Sequence, residues 1–248
     1  MKKYLIIFII IVSLVVVYCK LNIPTTTNHY DYNHNDKLII AQKKMTNMFY
    51  EFDRICTKYN LRYWCSGGTF VGVIRHGGWV PWDGDVDVGM IYEEYLEFKK
   101  YAEDELPSTM AVIENGTLGL SKIRDLYSQY TDYTIHKDVH HGLQLDIFLY
   151  NLDYDKKILT SIGNLEVYKE DKYNYDDVFP LVRAPFEDIQ VNIFNQYVKL
   201  SKYIFGDYPP AMPPIDKRIT HEGNIEPETP APYYFVKYKD LYNKKNNK

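Results

Sequence analysis

With 248 residues, 46% of them apolar and 25% charged, the chain can bury one sizeable core, or a core with a small annex. A formal net charge of −4 excludes a non-specific nucleic-acid binder, which needs a basic surface. Of the three cysteines, Cys19 closes an apolar run, which leaves Cys56 and Cys65 and excludes a Cys-rich zinc site.

In chain order, Lys2 and Lys3 precede an apolar or weakly polar run from Tyr4 to Cys19. At about 1.5 Å per residue it spans roughly 24 Å, short of a ~30 Å hydrocarbon core but tolerable in thin early-secretory membranes. Residues 1–20 therefore read as a transmembrane signal anchor. A cleaved signal peptide is the main rival, opposed by the lack of a small-x-small site at Val17-Tyr18-Cys19, and a buried helix is a third reading. Lys2 and Lys3 outnumber Lys20, which puts the N-terminus in the cytoplasm and the rest in a lumen or outside the cell. Asn115-Gly116-Thr117 is then a glycosylation acceptor sequence on the appropriate side. Polar residues 21–35 read as a tether.

Asp36 opens a predicted helix to about Tyr59. Leu38, Ala41, Met45, Met48, Phe49, Phe52, Ile55 and Cys56 recur on it at three- and four-residue spacing, the mark of one buried face. Cys56 falls on that face, so two buried thiols are expected rather than a disulfide. A short strand at Arg62 to Cys65 runs into Ser66-Gly67-Gly68. A short helix from Thr69 to His76 follows, ended by Gly77-Gly78. Trp79 to Trp82 form an apolar loop whose two tryptophans read as pins to the core, with stacking on a base or a cationic head group as the alternative. Further predictions are a strand at Val86 to Met90, a helix at Tyr92 to Leu106, and strands at Met110 to Glu114, Leu120 to Arg124 and Leu143 to Tyr150. After Asn151 the pattern weakens, and a helical and irregular region is expected to close over the domain, followed by a polar tail at 223–248. The fold class is α+β, a small mixed sheet flanked by helices within one domain at 36–222.

The chemistry-bearing residues lie on those strands. In Asp83-Gly84-Asp85-Val86-Asp87-Val88 alternate side chains share a face, so Asp85 and Asp87 project together while Val86 and Val88 enter the core. Two carboxylates about 7 Å apart along a strand can hold one Mg²⁺ between them or bridge two, with Mn²⁺ as the other candidate ion and phosphate oxygens completing the shell. A solvated acidic turn is the bland alternative, disfavoured by the alternation with Val. Asp146 sits inside the apolar run Leu143 to Leu149 and needs a partner there: that metal, backbone amides, or an arginine. Gly67 and Gly68 let the backbone approach a phosphate at a helix N-terminus, although a Gly pair alone is more often a tight turn. Strand, Gly-Gly, helix, then Asp-x-Asp on the next strand is the pattern of the nucleotidyltransferase fold.

The segments Tyr63 to Gly72 and Arg75 to Asp87 closely resemble the LicD family, which includes fukutin and fukutin-related protein. The resemblance resumes at Lys122 to Asp125, Leu145 to Phe148, Pro185 to Asp188, Tyr203 to Tyr208, Pro213-Pro214, Lys217-Arg218 and His221. It covers roughly 36–222, departs at Gly84, where bacterial members often carry a third acid, and is poor over Asn151 to Val178. It implies a Mg²⁺-dependent phosphotransferase that moves a phospho-alcohol from a CDP-linked donor to a sugar hydroxyl of a glycan. By the same analogy Asp85 and Asp87 hold metal, and Asp146 is metal ligand or base. Gly67, Gly68 and Thr69 contact phosphate. Arg75, Lys122 and Arg124 pair with the diphosphate, or are surface ion pairs. His76, His140, His141 and His221 are acid–base candidates, or structural and solvated. Two rivals stand beside this reading: transfer of a nucleoside monophosphate, and a silent scaffold that binds a nucleotide or a glycan enzyme.

Overall fold

The computed structural model describes residues 36–115, 120–130, 142–163, 172–220 and 225–228. The predicted anchor and tether, the polar tail apart from 225–228, His140, His141, His221 and two residues of the glycosylation triplet lie outside them. No helix among the described residues is long and apolar enough to cross a membrane.

Helix α1 (Asp36–Lys58) carries its apolar stripe where the periodicity puts it: Ala41, Met45, Phe49, Phe52 and Ile55 are all at 0% exposure. Full burial of each large side chain stabilises by roughly 1.5–3 kcal/mol. Strand β1 (Tyr63–Cys65) leads into α2 (Gly67–His76), which stops because Gly77 takes the left-handed conformation, φ 66°, and its N–H returns to the Val73 carbonyl. Then come β2 (Val86–Ile91), α3 (Tyr92–Glu105), β3 (Met110–Asn115), β4 (Leu120–Asp125), β5 (Gln129–Tyr130) and β6 (Gln144–Asp153). Glu93 and Glu94 in the first turn of α3 suit its dipole.

One sheet runs β1-β2-β6-β4-β3, with β7 (Ile158–Ser161) pairing the far end of β6 and β8 (Lys172–Asn174) pairing β7. The β2–β6 pair is parallel and the other pairs are antiparallel, so the sheet is mixed as expected. Its two faces differ. Val86, Val88 and Met90 with Leu145, Ile147 and Ile123 are all at 0% exposure, on the face where Tyr63 meets Phe52 and Phe52 meets Phe98 of α3. The alternate residues, Asp87 and Asp146 among them, turn to the face covered by α2 and the C-terminal segments. Trp64 stands over Gly89 there, and a Cβ on Gly89 would come within 2.3 Å of the indole nitrogen.

The C-terminal part is more ordered than the weak pattern after Asn151 suggests. Beyond β8 lie α4 (Tyr175–Val178), a hairpin of β9 (Val182–Phe186) and β10 (Ile189–Ile193), and α5 (Tyr197–Phe205). A 3₁₀ turn (Ile215–Lys217) and β11 (Ile225–Glu226), which pairs with β5, complete the described chain. The hairpin docks by Phe186, which meets Phe49 and Trp79 edge-on, and by an Arg183–Asp53 ion pair. Cys56 and Cys65 are buried free thiols, and burial pushes both well above the usual thiol range.

Candidate active site

The register of the central strands builds the site. Asp87 on β2 lies opposite Asp146 on the parallel β6, and Lys122 on β4 lies opposite Asp146 from the other side. Asp85 is in the bend just before β2, and it is the most exposed of the three acids. Asp85, Asp87 and Asp146 each offer an oxygen within 4.8 Å of the others. The two acids on neighbouring strands therefore meet by pairing, and the third, two residues before Asp87, joins them from the bend that leads into β2.

Asp87 and Asp146 are 9% and 6% exposed, and Asp83 is 8% exposed beside them. Burial, then Asp146 and Asp83, drive the Asp87 carboxyl well above the usual carboxylate range, while Lys122 and the Gly68 N–H oppose the shift. Buried carboxylates grouped this closely are costly without compensating positive charge. An all-oxygen set of this kind fits a hard divalent ion.

The glycine pair allows a close approach, and in this structure what approaches is carboxylate. A Cβ on Gly67, whose φ is 46°, would lie 2.3 Å from Asp87 Oδ2, and one on Gly68 would lie 2.3 Å from Asp83 Oδ2. The N-terminus of α2 is thus directed at the acid cluster, where its dipole favours negative charge. Thr69 is buried, and its hydroxyl accepts the Asp87 backbone N–H at 2.8 Å, which ties α2 to β2.

The predicted cations separate into two groups. Lys122 is at 0% exposure, and its Nζ donates to Asp146 Oδ1 and Oδ2 at 2.7 and 2.6 Å and to Gln144 Oε1 at 3.1 Å. Arg124 is likewise at 0% exposure, opposite Gln144 in the register. Neither is a surface ion pair, which removes that alternative for both. Arg75 lies at the other end of α2, donating to the Pro210 and Ala211 carbonyls at 3.2 and 3.1 Å. Its Nε also donates to His76 Nε2 at 2.9 Å, and burial together with Arg75 lowers the His76 pKa to about 4. His76 is therefore a neutral acceptor at neutral pH.

Of the two tryptophans of the loop, Trp79 acts as the expected pin to the core. Trp79 is buried, its indole N–H donates to Thr46 Oγ1 and its backbone N–H to Glu187 Oε1, each at 2.9 Å. Trp82 is half-buried, and the guanidinium groups of Arg75 and Arg218 lie over its ring, 6.0 and 5.9 Å from the ring centre. Gln42 on α1 fastens the loop from below by donating to the Asp83 carbonyl at 2.9 Å. Sequence reasoning assigned no role to Asp83, Gln144 or Glu187. A signal existed for two of them: Asp83 precedes Asp85, and Gln144 precedes Asp146, by the same two-residue step.

A family model described as "LicD/FKTN/FKRP, nucleotidyltransferase domain" matches residues 60–196, more than half of the chain. The lipopolysaccharide cholinephosphotransferase LicD of Haemophilus influenzae is 27% identical over 180 residues, 68% of this chain and 65% of that protein. An uncharacterised protein of Rickettsia prowazekii is 28% identical over 178 residues, 67% of this chain and 60% of the other. The ribitol 5-phosphate transferase FKRP of Mus musculus is 24% identical over 147 residues, 59% of this chain and 28% of that protein. The matches thus span less than two thirds of each relative's length.

Proposed function

The chain belongs to the LicD/FKTN/FKRP nucleotidyltransferase-domain family, and on that premise we propose that it is a Mg²⁺-dependent phosphotransferase of glycan modification, moving a phospho-alcohol from a CDP-linked donor to a sugar hydroxyl. The observation that carries the proposal is the convergence of Asp85, Asp87 and Asp146 within 4.8 Å, inside the matched domain. The activities named for two relatives, cholinephosphate and ribitol 5-phosphate transfer, supply the substrate class.

In this reading the acceptor hydroxyl oxygen attacks the phosphorus that carries the alcohol. A new O–P bond forms, the P–O bond to CMP breaks, and the hydroxyl proton passes to a carboxylate of the cluster. A divalent cation held there would neutralise the diphosphate and stabilise the departing CMP. Asp85, Asp87 and Asp146 would hold it. Both Asp146 oxygens already accept from Lys122, which favours a ligand over a base at that position. The Gly68 N–H orients Asp87, and the Trp79–Trp82 loop, tied to Thr46, Gln42 and Glu187, fixes the entry to β2.

The apolar run at Tyr4 to Cys19 supports single-pass anchoring with the domain lumenal or extracytoplasmic, where glycan acceptors are found. The direct test incubates purified full-length protein with CDP-choline, CDP-ribitol or CDP-glycerol and a glycan acceptor, with mass detection of products. Release of CMP with phospho-alcohol on the sugar is expected. A nucleotide left on the product would instead assign nucleotidyl transfer.

A further inference from the structure

Lys122 has no part in bond making or breaking in the reaction above, yet few lysines are placed as it is. Its side chain is completely buried, and the three donors of its ammonium match three acceptors: the two oxygens of Asp146 and the Gln144 amide oxygen. All three acceptors belong to β6. Across the sheet, in register, stand Asp87, Asp146 and Lys122 on three neighbouring strands. The row reads carboxylate, carboxylate, ammonium.

A pair of divalent ions, where a phosphoryl-transfer site uses one, sits roughly 3.5–4 Å apart and is commonly joined by a shared carboxylate with a cation on each side. Asp146 already has a cation on one side, the Lys122 ammonium reaching it from β4. Asp87 and Asp85 lie on one flank of it, and the fixed cation on the other flank is an ammonium. We propose that Lys122 is the built-in cation of this centre: it occupies the flank of Asp146 where a second divalent ion would sit, limits the site to one exchangeable ion, and holds Asp146 aimed at that ion. Lys122 is then a positioning residue, not a group that meets the donor diphosphate. Its register partner explains why it tolerates burial: a lysine placed one residue earlier or later on β4 would turn to the opposite, apolar face.

This inference rests on the divalent-metal reading of the three acids, and the experiment separates the two. Mn²⁺ is titrated into the full-length protein in detergent, and bound ions are counted by electron paramagnetic resonance. The wild type is expected to bind one Mn²⁺ per chain with a magnetically uncoupled spectrum. Lys122→Ser and Lys122→Asn, which shorten and neutralise the side chain, are expected to take two, with a spin-coupled spectrum. Lys122→Arg, which keeps the charge, is expected to stay at one. A coupled pair in the wild type overturns the role of Lys122 and leaves the metal site standing, as does a count of one in both shortened variants. If neither shortened variant folds, the Lys122→Arg and wild-type counts still decide: two ions in either sinks the proposal. No Mn²⁺ bound to the wild type removes the metal reading itself, and this inference with it.

Discussion

The two faces of the central sheet are made by the same strands and differ at every other residue. Val86, Val88, Leu145 and Ile147 fill one face at 0% exposure, and Asp87, Asp146, Lys122 and Gln144 occupy the other. The apolar face supplies stability through α1 and α3. The polar face carries charge that β2, β4 and β6 bring together and that no single strand could hold alone. A two-residue period has thus separated folding from chemistry within single strands, so neighbouring substitutions should have opposite signatures.

The largest expected effect is on the polar face. Asp87→Asn or Asp85→Asn should lower phosphotransfer on the order of 10³-fold, since a charged contributor to the phosphoryl centre is removed. Melting of Asp87→Asn without metal should be unchanged or higher, because Asp146 and Asp83 no longer crowd a charged neighbour. Turnover assays paired with thermal melts check both. A matching collapse of stability would break the contrast between the faces. On the apolar face, Leu145→Ala should cost about 2–5 kcal/mol by chemical denaturation. The folded fraction should retain catalysis.

Gly89 lies between these cases, on the polar face but away from the acids. Gly89→Ala would press a methyl into the Trp64 indole, with three ring atoms within 2.7 Å, and should destabilise by about 1–3 kcal/mol. Metal affinity in the folded fraction, followed by Mn²⁺ titration, should change little, which would place the boundary between packing and chemistry two residues beyond Asp87.

Asp87 also gives the pH dependence a definite sign. Its folded pKa is raised, so in the metal-free protein the folded chain holds the proton more tightly than the unfolded one. Stability then falls as pH rises from the ordinary carboxylate value through the raised folded value. A divalent ion should abolish that loss and displace the proton, so calorimetric titrations in two buffers of different ionisation enthalpy should report proton release. Identical heats in both buffers, after correction for dilution, would contradict the shift.

What could be read before the structure follows the same division. The stripe on α1, the step from Asp85 to Asp87 and the lone Asp146 in an apolar run are local patterns, legible because periodicity alone carries them. The pairing of Asp87 with Asp146 and of Lys122 with Asp146 is non-local, and a period of two cannot say which strands become neighbours. That is why a surface ion pair stayed open for Lys122 and Arg124 in the sequence, although both are fully buried. Strands β7, β8, β9 and β10 were missed for another reason. They are three to five residues long, with half-exposed positions between the buried ones, so their alternation is too brief to separate from a loop.

The smallest effect belongs to His76, at the far end of α2 from the acids, and it tests whether that end is purely structural. Burial and Arg75 lower its folded pKa to about 4, below the usual 6.5, so between those values the unfolded chain binds a proton that the folded chain does not. Stability should therefore decline as pH falls through that window. Because the ring is only partly buried, solvent screening should hold the effect to about 1 kcal/mol or less. His76→Gln keeps an acceptor for Arg75 and removes the titration, so its denaturation midpoints at about pH 5 and about pH 7 should lie closer together than those of the wild type. Turnover at neutral pH should be unaffected. A large loss of activity in His76→Gln with stability intact would move His76 from the scaffold into the chemistry, and the separation of roles along α2 would fail.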